Sequence, residues 1–106
     1  MLSNVLIIED DQLLRQSFSQ LLREEGISVS EAGCLSDARE LLNQERYDLA
    51  IVDGFLPDGS GYEFCEELKK RSTNLHVLFM SAHYRDVQSL THLINDVGVD
   101  CFLNKP

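Results

Sequence analysis

Acidic residues stand at two places where they could do chemistry. Glu9-Asp10-Asp11 follows the apolar run Val5-Leu6-Ile7-Ile8, and Asp53 follows Leu49-Ala50-Ile51-Val52. Two other polar residues sit in comparable positions: Ser81 after Val77-Leu78-Phe79-Met80, and Lys105 shortly after Cys101-Phe102-Leu103. Brought together, they form a cluster of carboxylates with one hydroxyl and one ammonium. Carboxylates a few ångströms apart repel one another, and a single lysine does not balance three of them. A hard divalent cation does: Mg2+ takes one or two carboxylates, a carbonyl, waters and phosphate oxygens. Each short motif alone has a plain alternative. Asp11 reads equally as the cap of a helix beginning near Gln12, and an acidic pair after a strand often only opens a loop. The recurrence at several strand ends carries the argument.

The elements that must position these residues are legible. The three long apolar runs are continuous rather than alternating, the pattern of strands buried on both faces of a parallel sheet. Weaker strands are expected at Ile27 to Glu31 and Cys101 to Leu103, nearer the sheet edges. Helical periodicity fills the gaps. Leu14, Phe18, Leu21 and Leu22 share a face and Gly26 stops that helix. Ala38, Leu41 and Leu42 follow Ser36, read as an N-cap with Asp37 in the first turn. Phe64, Cys65 and Leu68 follow Ser60-Gly61-Tyr62-Glu63, which has capping-box spacing, and Lys69-Lys70-Arg71 close the helix. Val87, Leu90, Leu93, Ile94 and Val97 form a fourth stripe ending at Gly98. The alternation predicts an open α/β fold with right-handed crossovers. In such a sheet the ligand site lies beyond the carboxyl ends of the strands, where the acidic residues, Ser81 and Lys105 fall.

Composition narrows the function classes. The chain has 106 residues with 9 Lys+Arg, 18 Asp+Glu and a formal charge of −9, which suits one soluble domain and argues against direct binding to nucleic acid or an anionic membrane. No apolar run approaches the ~18 residues of a spanning helix, and Met1-Leu2-Ser3-Asn4 lacks the basic start of a signal peptide. Cys34, Cys65 and Cys101 are an odd, widely spaced set with no C-x-x-C, read as reduced thiols of a cytoplasmic protein. His76, His83 and His92 have no i, i+4 spacing among them and do not make a zinc site. The phosphate-binding loop pattern G-x-x-x-x-G-K-[ST] is absent.

Taken together, Ile7-Ile8-Glu9-Asp10-Asp11, Ile51-Val52-Asp53-Gly54-Phe55-Leu56-Pro57-Asp58-Gly59-Ser60-Gly61, Met80-Ser81-Ala82 and Phe102-Leu103-Asn104-Lys105-Pro106 resemble the receiver domain of two-component response regulators. The resemblance covers nearly the whole chain, with the motifs in order and at nearly the expected spacings. It implies a five-stranded doubly wound parallel sheet of flavodoxin-like order 2-1-3-4-5. It also implies a phosphorylation-dependent switch in a phosphorelay, not a turnover enzyme. Asp53 would accept a phosphoryl group from a histidine kinase or histidine phosphotransfer protein. Glu9, Asp10, Asp53 and the backbone carbonyl of Phe55 would hold Mg2+. Lys105 and Ser81 would contact the phosphoryl oxygens, and Ser81 with Phe102 would form the switch that reaches an output domain or partner protein. Phe55 and His83, each two positions beyond a site residue, fall where such domains tune access of water, so a bulky Phe55 would slow hydrolysis. Phe102 lacks a phenolic hydroxyl, so its coupling would rest on packing alone; a fixed core position reads equally well. Pro57 and Gly59-Ser60-Gly61 would fix the loop and start the third helix.

Two departures from the family pattern bear on partners. The stretch from Ser81 to Lys105 is slightly long, pointing to an extended loop or fourth helix. The sequence ends at Lys105-Pro106, where the family continues into a fifth helix. Its lack would leave apolar side chains uncovered on one face of the last strands and favour a homodimer there. The competing readings are a degenerate receiver acting as a constitutive interaction module and a Mg2+-dependent aspartyl phosphotransferase. The intact set Glu9, Asp10, Asp53, Ser81 and Lys105 speaks against the first. Phe55, standing where such enzymes want a second acid, speaks against the second.

Overall fold

The computed structural model of the protein describes residues 2–72, 74–82 and 87–105; His83 and Pro106, singled out above, lie outside them. The elements follow in the order β1 (Asn4–Ile8), α1 (Gln12–Glu24), β2 (Ser28–Ala32), α2 (Leu35–Gln44), β3 (Leu49–Asp53), β4 (Phe55–Leu56), β5 (Gly59–Ser60), α3 (Gly61–Arg71), β6 (His76–Ser81), α4 (Val87–His92) and β7 (Cys101–Asn104). Five strands form one parallel sheet in the order β2-β1-β3-β6-β7, and β4 and β5 make a separate two-stranded hairpin. Counting only the strands of the large sheet, this is the expected order 2-1-3-4-5, with the neighbours in parallel register.

The continuous apolar runs are explained by burial on both faces. Leu6, Ile8, Ala50, Val52, Val77 and Phe79 face a core closed by Leu35 and Ala38 of α2, Phe64, Cys65 and Leu68 of α3, and Leu93. Val5, Ile7, Ile51 and Met80 face the other way, against Phe18 and Leu22 of α1. Helices thus cover both faces, as a parallel sheet requires. The α1 face thins toward β7. Leu103, paired with Met80, is 43% exposed, and Cys101, paired with Leu78, is exposed.

Three boundaries differ from the sequence reading, each for a physical reason. Helix α2 begins at Leu35, so its N-cap is Cys34, two residues before the proposed Ser36 cap, and Cys34 makes no side-chain cap. Its free amides are satisfied from elsewhere: the Asp58 carboxylate accepts from the backbone N–H of Leu35 at 2.8 Å and of Ser36 at 3.0 Å. The fourth helical stripe is not one α-helix, because α4 passes into a single π-helical turn at Leu93–Val97. That turn ends where Gly98, at φ +94°, lets its own N–H and that of Val99 both reach the Leu93 carbonyl at 2.9 Å. The β4–β5 hairpin is too short to leave a periodic signal. The caps at Asp11 and Ser60 are as expected, accepting from Leu14 N at 3.2 Å and Glu63 N at 3.3 Å.

Candidate functional site

The parallel strands deliver their carboxyl ends to one edge, and the site is built there. β1 ends at Ile8, so Glu9 and Asp10 emerge from its tip; Asp53 is the last residue of β3 and Ser81 the last of β6. Lys105 follows β7, tied by its backbone N–H to the Ser81 carbonyl at 3.3 Å. Glu9 and Ser81 are fully buried, Asp53 is 3% exposed, and Asp10 is exposed. Asp11 is drawn away from the cluster as the cap of α1.

Carboxylate oxygens of Glu9, Asp10 and Asp53 lie within 4.8 Å of one another, forming the one such acidic group among the described residues. The Lys105 ammonium reaches into it, 2.6 Å from Glu9 Oε1 and 3.3 Å from Asp53 Oδ2. That buried Glu9 oxygen meets no partner among the described residues other than this ammonium. Its other oxygen accepts from the Asp11 N–H at 3.1 Å. Burial works against the Lys105 charge, but Glu9 and Asp53 outweigh it and hold the ammonium above the ordinary lysine pKa. One ammonium against three carboxylates leaves the site negative. Oxygen ligands, close spacing, partial burial and a surplus of negative charge together fit a hard divalent cation.

Backbone close approach shapes the floor. A Cβ at Gly61 would overlap the Asp53 carbonyl oxygen and come within 2.7 Å of the Asp53 carbonyl carbon. Glycine there lets the start of α3 press against the end of β3, with Gly61 N donating to the Gly54 carbonyl at 3.0 Å. At Gly54 a Cβ would meet Phe79 Cζ at 3.0 Å and Ser81 Oγ at 3.1 Å. The loop between these glycines carries Phe55, which is 55% exposed at the mouth, while its N–H donates to Asp53 Oδ1 at 3.4 Å.

Phe102 lies one strand away, half-buried, its ring stacked on Phe79 with centroids 6.0 Å apart. Phe79 in turn meets Tyr62 edge to face at 6.3 Å, and the Tyr62 hydroxyl donates to the Ser89 carbonyl at 3.2 Å. The sequence reading missed both the Phe79 link and the capping role of Asp58. Phe79 looked like any core strand residue, and Asp58 like any turn residue. The two described histidines stay outside the acidic cluster: His76 pairs with Asp100 at 3.2 Å, and His92 with Asp96 at 2.9 Å. All three cysteines are free; Cys65 is buried, and burial, with the nearby Glu66, pushes its thiol up to about 12.

Comparison with known proteins agrees with this arrangement. The family model described as "Response regulator receiver domain" matches residues 5–106. The chain is 35% identical over 105 residues to the KDP operon transcriptional regulatory protein KdpE of Escherichia coli, covering 99% of this chain and 45% of that protein. It is also 35% identical over 102 residues to a cyclic di-GMP phosphodiesterase of Thermotoga maritima, covering 96% of this chain and 27% of that one. The chain therefore spans less than half the length of these curated relatives. Among solved structures, a CheY-like response regulator receiver domain protein from Methanospirillum hungatei superposes with a TM-score of 0.90 at 27% identity, covering 100% of this chain and 83% of that one.

Proposed function

The chain belongs to the response regulator receiver domain family, and from that premise we propose that it is a phosphorylation-dependent switch with Asp53 as phosphoacceptor. The observation that carries the reading is the convergence of Glu9, Asp10 and Asp53 within 4.8 Å, with Lys105 in contact with two of them. A carboxylate oxygen of Asp53 attacks the phosphorus of a phosphohistidine on a histidine kinase or phosphotransfer protein. The P–N bond breaks, its electron pair and a proton return to the histidine, and an acyl phosphate forms on Asp53.

An anionic nucleophile meeting an anionic phosphoryl group needs charge neutralisation and in-line positioning. Lys105 supplies one positive point charge beside Asp53. Glu9, Asp10, Asp53 and the backbone carbonyl of Phe55 would hold Mg2+, which when bound neutralises charge on the transferred phosphoryl oxygens. Ser81, buried at the next strand end, donates its hydroxyl to the same oxygens. Its repositioning is relayed by packing through Phe79 and Phe102, whose rings are stacked. The exposed ring of Phe55 screens the mouth of the site from water. Phe55→Asn is expected to shorten the acyl-phosphate lifetime, measured by loss of the phosphorylated mass over time; an unchanged lifetime would remove Phe55 from this role.

The proposed setting is the cytoplasm, with the switched face acting on an output domain or protein partner. The test is incubation with Mg2+ and acetyl phosphate or beryllofluoride, followed by intact-mass and NMR comparison of wild type and Asp53→Asn. Adduct on wild type and none on Asp53→Asn is expected. Unmodified wild type would leave only a constitutive interaction module, and multiple turnover of a phosphate ester would make the chain a phosphotransferase instead.

A further inference from the structure

We infer that Arg15 is a positioning residue for the acidic pair: its side chain anchors the Glu9 carbonyl, between Glu9 and Asp10, and so sets the affinity of the site for a divalent cation. The inference rests on the metal-assisted phosphoacceptor reading above and concerns a side chain outside the acidic cluster.

Asp10 is the exposed member of the cluster and begins an irregular turn between β1 and α1. A flexible backbone there would let its carboxylate wander from Glu9 and Asp53. The Arg15 side chain ties the turn at its β1 end. Its Nη1 donates to the Glu9 carbonyl at 2.7 Å, while the Asp11 carbonyl on the other side takes the first backbone bond of α1, from the Arg15 N–H at 2.9 Å, whatever side chain stands at position 15. The peptide group that leads into Asp10 is thereby held by the Arg15 side chain. The Glu9 carbonyl belongs to a residue with no solvent exposure, so the guanidinium also satisfies an acceptor that would be costly to leave unpaired.

The guanidinium is itself oriented. Its Nε donates to Glu31 Oε1 at 3.1 Å, with Arg15 17% and Glu31 24% exposed. Glu31 sits in β2, and its second oxygen meets Arg23 at 3.5 Å. The planar fork therefore bridges the end of β1 to β2, a geometry a point-charge ammonium cannot reproduce at both ends. Gly33 leaves the room: a Cβ there would lie 3.3 Å from Arg15 Nη1.

The experiment compares Mg2+ binding by NMR titration of backbone amides, a suitable readout since the chain has no tryptophan. Arg15→Met is expected to weaken Mg2+ binding about tenfold, the lower end of what residues that orient metal ligands are worth. Arg15→Lys, which reaches the Glu9 carbonyl or Glu31 but not both, is expected to lose about threefold. Acyl-phosphate formation from acetyl phosphate should slow at low Mg2+ and return to within about twofold of wild type at saturating Mg2+, because ligand placement and not the chemical step is affected. A purely structural role would lower the melting temperature and leave the Mg2+ affinity unchanged. If Arg15→Met does not fold, Glu31→Gln decides, since it frees the guanidinium while keeping it: weaker Mg2+ binding supports the inference. A folded Arg15→Met with wild-type Mg2+ affinity, or unchanged affinity in Glu31→Gln where that variant must decide, overturns it. Wild type that binds no Mg2+ and forms no acyl phosphate would instead overturn the phosphoacceptor reading on which the inference stands.

Discussion

Gly61→Ala is the sharpest test of how the site is held. Gly61 opens α3, and its backbone conformation is ordinary for any residue, so strain in φ is not the issue. The obstacle is contact. The added Cβ would overlap the Asp53 carbonyl oxygen and lie 2.7 Å from the Asp53 carbonyl carbon and 3.0 Å from Gly54 Cα. All are backbone atoms at the end of a buried strand, with no flexible side chain to give way. The start of α3 must move off β3 by more than an ångström, which breaks the bond from Gly61 N to the Gly54 carbonyl. Overpacking against rigid neighbours costs about 3 kcal/mol, the lost hydrogen bond about 1, and alanine's better helix propensity returns about 1. The net expectation is a loss of about 3 kcal/mol, a large share of the 5–15 kcal/mol typical of a domain. At roughly 4–8 °C per kcal/mol this lowers Tm by about 15 °C. Urea denaturation followed by circular dichroism measures it, with the midpoint falling and the slope unchanged. Gly54→Ala is the internal control, because its Cβ would meet side chains of Phe79 and Ser81. It should cost less stability but displace the Ser81 hydroxyl and lower the yield of acyl phosphate. If Gly61→Ala stays within about 0.5 kcal/mol of wild type, the close approach of α3 to Asp53 is not the constraint described here.

Lys105→Met removes the cation that contacts Glu9 and Asp53; in Mg2+-free buffer a loss of about 3 kcal/mol is expected, the low end for breaking a buried ion pair. Added Mg2+ should restore more stability to this variant than to wild type, read by thermal melts with and without the ion, and equal restoration in both would contradict the charge argument. Asp58→Ala should lower Tm at neutral pH by uncapping α2. Hydrogen bonds from Leu35 N and Ser36 N hold the Asp58 carboxyl below its ordinary pKa. Its contribution is therefore present above the unfolded value of about 3.9 and lost as pH falls through the folded one. The variant's acid limb should accordingly be flatter. His92 is raised by Asp96 and, less, by Glu66, while Lys69 and Lys70 line the same groove and Tyr62 stacks on its ring. Its stabilisation is full below the unfolded value of about 6.5 and fades as pH rises through the higher folded value. His92→Gln should flatten Tm against pH across that window, and a profile parallel to wild type would show that the pairing contributes nothing.

The legible part of the fold was the part with a period. Val5–Ile8, Leu49–Val52 and Val77–Met80 announced buried parallel strands because burial on both faces leaves no polar alternation, and all three lie in the sheet. The rule that sites gather beyond strand ends brings Glu9, Asp10, Asp53, Ser81 and Lys105 together from sequence alone, and in the structure they lie at one edge of the sheet. What was not legible depends on contacts between segments distant in sequence. Asp58 caps a helix that begins at Leu35, and no local pattern announces a cap supplied from a later loop. Ser36-Asp37 imitated a cap well enough to misplace the start of α2. The π-helical turn at Leu93–Val97 keeps its apolar residues near helical spacing, so periodicity alone does not separate it from α4.

Missing this loop chemistry matters because the loop holds together an arrangement that opposes folding. Gathering Glu9, Asp10 and Asp53 around one ammonium is electrostatically unfavourable, and Glu9 has no exposure to water to relieve it. A cluster of this kind persists only where surrounding structure over-determines it. Here the tips of β1 and β3 are continuous with fully buried Ile8 and Val52. The segment after Asp53 is held at Gly54 by a bond to the Met80 carbonyl at 2.8 Å, at Gly61 by close approach, and at Asp58 by the α2 amides. These ties make no demand on the charge state of the carboxylates. On the proposed function, a cation or phosphoryl group would arrive and change the electrostatics while the backbone that presents Asp53 stays in place. In the proposed switch, the side chains of Ser81 and Phe102 are then the parts left to answer.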